Sequence, residues 1–142
     1  MSMAARTLSL TSYAGTDVGR RRKNNEDAFL VDDSLGLWIV ADGMGGQAAG
    51  EIASEQAVET VHGMVASGLR QGVSSVERVL ESAVQAATYM VYGLAELDSS
   101  KSGMGTTLSA VLRQPDRLIM AQVGDSRVYR IRDGFASQLT RV

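Results

Sequence analysis

Cysteine is absent from the sequence, and histidine occurs once, as His62. Without cysteine the chain has no disulfide, no thiolate metal site and no cysteine nucleophile. A Ser-His-Asp triad or a histidine-rich metal site would depend on His62, which we interpret instead as a histidine on a helix face. Metal chemistry in this chain therefore has to use carboxylates, carbonyls and water, the ligand set that suits Mg²⁺ or Mn²⁺.

Long apolar runs and an excess of charge are also missing. No stretch approaches the roughly 18 apolar residues of a membrane-spanning helix, and the N-terminal residues lack the apolar core of a secretory signal. The 14 basic and 16 acidic side chains give a net charge of -2, so we expect neither nucleic acid nor a membrane as partner. The longest basic run, Arg20-Arg21-Arg22-Lys23, is short. We therefore expect a cytoplasmic protein.

The apolar residues, 44% of the 142, are enough for one domain with a sizeable core. Their spacing predicts strands at 8–13, 28–31, 35–41, 106–112, 118–123, 126–131 and 135–139. The continuous run at 35–41 indicates a strand buried on both faces. The glycine-rich residues after it, Gly43 to Gly46, are not expected to form regular structure.

Between the third and fourth strands the apolar period changes to that of a helix. One helix is predicted from Glu51 to about Gly68, and a second follows a capping box of Ser74 and Glu77 and extends to about Leu97. Strands, two helices and antiparallel strands form an α+β pattern with the helices packed on one face of a sheet. The chain stops after a predicted hairpin strand, which would leave a sheet edge open and indicates truncation.

Acidic residues lie at two of the strand boundaries. Glu26 and Asp27 lead into the second predicted strand, and Asp42 ends the third. If these strands pair antiparallel, Glu26 or Asp27 faces Asp42, and carboxylates that are so close repel unless a cation or a proton lies between them. Spacing alone leaves the interpretation open, because surface carboxylates often flank turns.

Two glycine-containing segments have alternative interpretations. The loop after Asp42 lacks the Gly-Lys-Ser/Thr ending of a phosphate-binding P-loop and the spacing of a dinucleotide fold. It is either a flexible connector or a place where the carbonyl of Gly43, a residue without Cβ, approaches a cation bound by Asp42. Asp125 is either a turn residue that bonds the local backbone or a carboxylate directed toward a metal.

Seven short motifs, taken together, make the chain recognisable. They are Thr16-Asp17-Val18-Gly19, Arg22-Lys23-Asn24-Asn25-Glu26-Asp27, Ala41-Asp42-Gly43-Met44-Gly45-Gly46, Gly50-Glu51, Gly103-Met104-Gly105-Thr106-Thr107, Gly124-Asp125-Ser126-Arg127 and Gln138-Leu139-Thr140. In this order they resemble the motifs of the bacterial metal-dependent Ser/Thr protein phosphatases, the PPM or type 2C family. The resemblance implies an antiparallel β-sandwich flanked by helices, a four-layer αββα fold that is incomplete here, with residues 1–142 as the N-terminal part of a single catalytic domain.

The resemblance also implies metal-binding roles, residue by residue. Asp42 matches the carboxylate that bridges two metal ions, and the Gly43 carbonyl matches a ligand of one of them. Glu26 and Asp27 match the acidic pair that holds the second metal, directly or through its waters. Asp125 matches a ligand of the additional, weaker metal site of bacterial members. Two ions, and a third in such members, are thus implied for the complete domain.

The family mechanism then assigns a role to Arg22, which matches the arginine that grips the substrate phosphate. Two cations, Mg²⁺ or Mn²⁺, lower the pKa of a bridging water, and the resulting hydroxide attacks the phosphorus of phosphoserine or phosphothreonine in line. The cations and Arg22 offset charge on the phosphoryl oxygens. The implied partners are phosphorylated proteins and, by family analogy, an opposing Ser/Thr kinase.

The chain also departs from the family pattern. The later Asp-Gly and Asp-Asn motifs, which supply two more carboxylates, are absent. Some relatives have a histidine after Asp-Gly, whereas this chain has Met44 there, and His62 does not correspond to that position. We therefore expect the 142-residue chain alone to be inactive or nearly so and to bind metal weakly. The alternative is a non-catalytic regulatory or binding module that retains the fold, although the matching residues at the site argue against such decay.

Overall fold

The computed structural model describes residues 9–46, 48–73 and 75–141. Its elements are β1 (Asp27–Asp32), β2 (Leu37–Met44), α1 (Ala49–Arg70), α2 (Val76–Leu97), β3 (Gly105–Thr106), β4 (Leu108–Arg113), β5 (Leu118–Val123), β6 (Tyr129–Arg132) and β7 (Phe135–Gln138). A short 3-10 helix, Ser99–Lys101, follows α2. The predicted α+β class is confirmed. Neither α-helix in these ranges is long and apolar enough to cross a membrane.

The main sheet has the strand order β1-β2-β4-β5, and every pairing in it is antiparallel. β3 adds to the end of β2, and β6 pairs with β7 in a separate hairpin. The hairpin turns at Asp133 and Gly134, which have φ angles of 53° and 81°. Positive φ at both positions is typical of a two-residue hairpin turn.

The core lies between the two helices and one face of the sheet. Its fully buried larger side chains come from β2, β4, α1 and α2: Leu37, Ile39, Leu112, Val61, Val65 and Leu80. The other face of the sheet carries apolar side chains that remain exposed, among them Phe29 at 42% and Val40 at 52%. The prediction that both faces of the strand at 35–41 are buried is therefore wrong, since in the described chain both helices pack on the same side.

Several predicted boundaries are also wrong. Residues 9–13 form no strand, and the first residue of that predicted strand, Leu8, lies outside the described residues. Gly43 and Met44 extend β2 because β3 supplies them with a backbone partner. The sixth strand begins at Tyr129, not at residue 126.

The start of α2 also differs from the prediction. Ser75 is the N-cap, with its hydroxyl accepting a hydrogen bond from the Arg78 N–H at 3.3 Å. The predicted cap, Ser74, lies outside the described residues. A serine at this position satisfies one of the N–H groups that a helix start leaves unpaired. The predicted end of α2 at about Leu97 is confirmed.

Candidate metal centre

Asp27 and Asp42 lie directly opposite each other on neighbouring strands. Asp27 is the first residue of β1, and the antiparallel register pairs it with Asp42 of β2. Opposite residues of such a pair share one face of the sheet with their Cβ atoms roughly 4.5–5.5 Å apart. The geometric expectation of two facing carboxylates is confirmed for Asp27. That the pair binds a metal ion stays a prediction.

The electrostatic surroundings of Asp42 bring in two further charged residues. Partial burial, the Asp27 carboxyl and, least of all, the Asp125 carboxyl raise the pKa of Asp42. The Arg22 guanidinium acts in the opposite direction and lowers it. Arg22, Asp42 and Asp125 are all exposed to solvent. Asp27, Arg22 and Asp125 therefore all lie within electrostatic reach of Asp42, at the edge where β1 begins and β2 ends.

The Glu26 carboxylate lies against the first turn of α1. Its Oε2 atom is buried and has no hydrogen-bond partner, and a Cβ at Gly50 would lie 1.6 Å from it. The backbone carbonyl of Glu26 accepts a hydrogen bond from the Gly43 N–H at 3.0 Å. A buried carboxylate oxygen that lacks a partner is costly, so this atom fits a site for a water or a cation.

Gly43 is needed here for close packing of backbone against backbone. A Cβ at this position would lie 1.9 Å from the carbonyl oxygen of Gly50 and 2.9 Å from that of Glu26. Glycine at 43 and 50 therefore lets the end of β2 contact the start of α1 directly. That the Gly43 carbonyl also binds a cation stays a prediction.

Thr107 holds the backbone of Asp42 and was not identified from the sequence as a site residue. Its hydroxyl accepts a hydrogen bond from the Asp42 N–H at 3.0 Å, and its own N–H donates to the Asp42 carbonyl at 2.9 Å. The Ser126 hydroxyl, next to Asp125, donates to the Thr107 hydroxyl at 3.0 Å. The motif Gly105-Thr106-Thr107 was the available signal, but the sequence analysis gave it no role at the site.

Thr16 and Asn25 support Asp27 in a similar way. The Thr16 hydroxyl donates to Asp27 Oδ2 at 3.2 Å, and Asn25 Nδ2 donates to the Thr16 hydroxyl at 2.9 Å. Asn25 Oδ1 also accepts from the Asp27 N–H at 3.0 Å. The first aspartate of the facing pair is thus fixed at both its backbone and its carboxylate.

The donor atoms at this place are those that a hard divalent cation prefers. A cavity of about 200 Å³ opens over the two aspartates and is lined by Gly15, Thr16, Asp27, Ala28, Phe29, Val40, Ala41, Asp42 and Ser126. Within residues 9–46, 48–73 and 75–141, no group of three or more acidic or histidine side chains is close enough together to hold a metal. The described residues therefore fit Mg²⁺ or Mn²⁺ in chemical type but supply only part of a coordination shell.

A family model for protein phosphatase 2C matches residues 14–141. The chain belongs to the protein phosphatase 2C family. All six predicted site residues lie inside the matched range, from Arg22 to Asp125. The resemblance inferred from the seven ordered motifs is thereby confirmed.

Characterised members of the 2C family are similar over most of this chain. The serine/threonine protein phosphatase PstP of Mycobacterium tuberculosis is 37% identical over 139 residues, which cover 98% of this chain and 26% of PstP. The serine/threonine phosphatase stp of Listeria welshimeri is 36% identical over an alignment of 133 residues, and the match covers 88% of this chain and 51% of that protein. The chain therefore spans about a quarter of the length of PstP and about half of the length of stp.

A solved structure of a 2C phosphatase has the same fold over most of this chain. The crystal structure of the catalytic domain of PstP in complex with two manganese ions matches with a TM-score of 0.75 and 36% identity. The match covers 86% of this chain and 51% of that domain. The fold described above is therefore that of part of a 2C phosphatase.

Proposed function

We propose that the full-length protein containing this chain hydrolyses phosphoserine and phosphothreonine in proteins in a metal-dependent reaction. The observation that carries the proposal is the facing pair of Asp27 and Asp42 with the Arg22 guanidinium within electrostatic reach. An anionic pair binds cations, and a neighbouring guanidinium binds phosphate. Membership of the 2C family and the two manganese ions of the PstP structure support the same reaction.

Five residues of the chain would hold the divalent cations in this proposal. Asp42 and Asp27 provide the central carboxylates, and the Gly43 carbonyl, Glu26 and Asp125 add further oxygens. The ions are Mg²⁺ or Mn²⁺, two in the complete domain or three if the Asp125 site is also filled. When bound, such ions supply a water nucleophile of lowered pKa and neutralise phosphoryl charge.

Arg22 binds the phosphoryl oxygens of the substrate and orients the phosphorus toward the two aspartates. Its side chain is exposed, so a phosphorylated protein surface reaches it without displacing any of the described elements. Thr107 fixes the Asp42 backbone from both sides, which holds that carboxylate in position without a contribution to the chemistry. Such preorganisation is the main contribution of a protein to phosphoryl transfer.

The proposal extends to the setting of the enzyme. Residues 1–142 form the N-terminal part of one catalytic domain, and the protein is cytoplasmic. Its substrates are phosphorylated proteins involved in signalling, with a Ser/Thr kinase as the opposing enzyme. Nucleic acid and membranes are not partners, in keeping with the net charge of -2.

A second candidate function is a non-catalytic regulatory or binding module with the phosphatase fold. One observation favours it: the described residues contain no group of three or more potential metal-binding side chains. Such a module would use Arg22 to bind a phosphorylated partner without hydrolysing it.

Hydrolysis of p-nitrophenyl phosphate and of a phosphothreonine peptide by the full-length protein decides between the two. We expect turnover with Mn²⁺ and its loss after chelation, restored when Mn²⁺ is added back. Activity that survives thorough chelation contradicts metal dependence. Phosphopeptide binding without turnover, in the presence of Mn²⁺, identifies the non-catalytic module instead.

A further inference from the structure

Four consecutive cationic residues, Arg20 to Lys23, lie in the loop that leads into β1, and the Arg22 guanidinium acts on the Asp42 carboxyl of the candidate metal centre. All four are exposed. The ion pairs found in the described residues involve other cations, namely His62, Lys101 and Arg117. The proposed reaction uses only Arg22, so three cations at this place have no assigned role.

Hydrogen bonds form at both ends of the loop that carries these cations. At its start, Asp17 Oδ1 accepts a hydrogen bond from the Gly19 N–H at 2.7 Å, and Gly19 has a φ of 80°, which favours glycine. At its end, Asn25 bonds both Thr16 and the Asp27 N–H. These contacts hold the end of the loop beside Asp27, and Arg22 lies within electrostatic reach of Asp42. Arg20, Arg21 and Lys23 are neighbours of Arg22 in the sequence.

The sign of this charge contrasts with that of the molecule. The chain as a whole carries -2, whereas these four residues carry only positive charge. Exposed cations that form no ion pair within the described residues attract anions from solution. An extended substrate segment advances roughly 3.3–3.6 Å per residue. When its phosphate is held at Arg22, the residues that flank the phosphate are therefore within reach of the cations next to Arg22 in the loop.

We propose that Arg20, Arg21 and Lys23 are specificity residues that select phosphorylated sites flanked by aspartate or glutamate. The inference rests on the proposed function for the phosphate itself and adds the class of protein substrate. Arg20 and Arg21 offer planar guanidinium groups that pair with carboxylates through two hydrogen bonds, and Lys23 adds a point charge. Neutral or basic flanking residues gain nothing from this loop.

The test compares two phosphothreonine peptides of equal length, one with acidic and one with neutral flanking residues, as substrates of the full-length protein with Mn²⁺. The readout is the ratio of their kcat/KM values, with p-nitrophenyl phosphate as a reference substrate for each variant. We expect a ratio of about ten for the unmodified protein at low salt, since each exposed charge pair contributes modestly. The ratio falls as the salt concentration rises.

The informative variant carries Arg20→Gln, Arg21→Gln and Lys23→Gln together, and we expect its ratio to fall to about one. The matched control removes the same number of charges from exposed positions elsewhere, with Arg130→Gln, Arg132→Gln and Arg141→Gln. The control should keep both the ratio and the rate on p-nitrophenyl phosphate. An equal fall in both variants shows a general charge effect and overturns the proposal.

Other outcomes separate this inference from the proposed function. A ratio near one in the unmodified protein, with Mn²⁺-dependent hydrolysis of p-nitrophenyl phosphate intact, overturns the specificity loop and leaves the phosphatase. If nothing is hydrolysed, the proposed function fails, and fluorescence anisotropy of the two labelled peptides bound to the same protein decides the inference. Equal binding of both peptides, or a preference for RNA or anionic vesicles over the acidic peptide, contradicts it.

Discussion

The contact between Glu26 and Gly50 connects the loop before β1 to the first turn of α1. A Cβ at Gly50 would lie 1.6 Å from Glu26 Oε2 and 3.0 Å from the Met44 backbone nitrogen. Gly50→Ala therefore has to displace the Glu26 carboxylate. We expect the Mn²⁺-dependent kcat of the full-length protein to fall roughly ten- to a hundredfold, the size of effect that small displacements in a site produce.

Two comparisons make this prediction specific. Gly63→Ala changes the same helix at a position where a Cβ meets nothing within 4 Å, so its rate should equal that of the unmodified protein. Adding Glu26→Asp to Gly50→Ala should recover part of the activity, because the shorter side chain makes room for the new methyl group. Equal rates for Gly50→Ala and Gly63→Ala would show that the contact does not matter.

The hydroxyl of Thr107 satisfies the backbone N–H of Asp42. Thr107→Val keeps the shape but removes this acceptor, and an unpaired buried donor costs about 1–3 kcal/mol. We expect the free energy of unfolding in urea to fall by that amount, whereas Thr107→Ser retains it. Ser109→Ala is the control, since the Ser109 hydroxyl is buried without a partner. A loss in Ser109→Ala as large as in Thr107→Val would contradict the account.

Individual residues of the site differed in how well the sequence predicted them. The facing pair follows from antiparallel pairing of two strands that are adjacent in sequence, so Asp27 and Asp42 could be placed together. Thr107 lies 65 residues from Asp42, and local patterns do not show which distant hydroxyl contacts which N–H. The direction of Glu26 depends on the close approach of β2 and α1, which spacing along the chain does not reveal.

At the scale of elements, Asp32 joins the turn after β1 to helix α1. Its carboxylate lies 2.9 Å from His62 Nε2 and accepts hydrogen bonds from the Leu35 N–H and the Ser34 hydroxyl. The Leu35 N–H, then the His62 and Ser34 side chains, lower the pKa of Asp32 from 3.8 to about 2. Because the folded-state pKa is the lower one, the stabilisation is present above pH 3.8 and is lost as the pH falls toward 2.

Asp32→Asn should therefore lower the urea concentration at the unfolding midpoint above pH 4. The decrease of this midpoint between pH 4 and pH 2 should also be smaller in the variant than in the unmodified protein. Asp98→Asn is the comparison, because the pKa of Asp98 is also lowered to about 2 but its partners, Lys101 and Ser100, belong to the same short turn. We expect amide exchange in α1 near His62 to rise only in Asp32→Asn. Unchanged exchange there would show that the contact does not hold the two elements together.

Elements with a clear period were predicted well, and elements defined by their partners were not. The apolar stripes predicted both helices and the central strands, because one face of each packs into the core. A continuous apolar run does not distinguish a strand covered on both faces from one with an exposed apolar face. The prediction that both faces of the strand at 35–41 are buried was therefore wrong for the face that carries Val40. The extension of β2 through Gly43 depends on β3, which is only two residues long.

At the scale of the whole molecule, the chain spans between about a quarter and about half of the length of the relatives named above. Its described residues provide no group of three potential metal-binding side chains. Since a Mg²⁺ or Mn²⁺ site takes about six oxygen ligands, we expect residues 1–142 alone to bind Mn²⁺ more weakly than the full-length protein and to show little or no turnover. Equal affinities in a Mn²⁺ titration of the two proteins would contradict this expectation.

The role of Asp42 is tested most directly by turnover of a phosphothreonine peptide with Mn²⁺, measured for the full-length protein and its Asp42→Asn variant. The substitution keeps the size of the side chain and removes the charge opposite Asp27. The account predicts a fall in kcat of roughly a hundredfold or more, in line with the loss of preorganised charge, and an unchanged rate for Asp116→Asn at an exposed turn. Near-normal turnover of Asp42→Asn would contradict the assignment of Asp42 as the central metal-binding carboxylate.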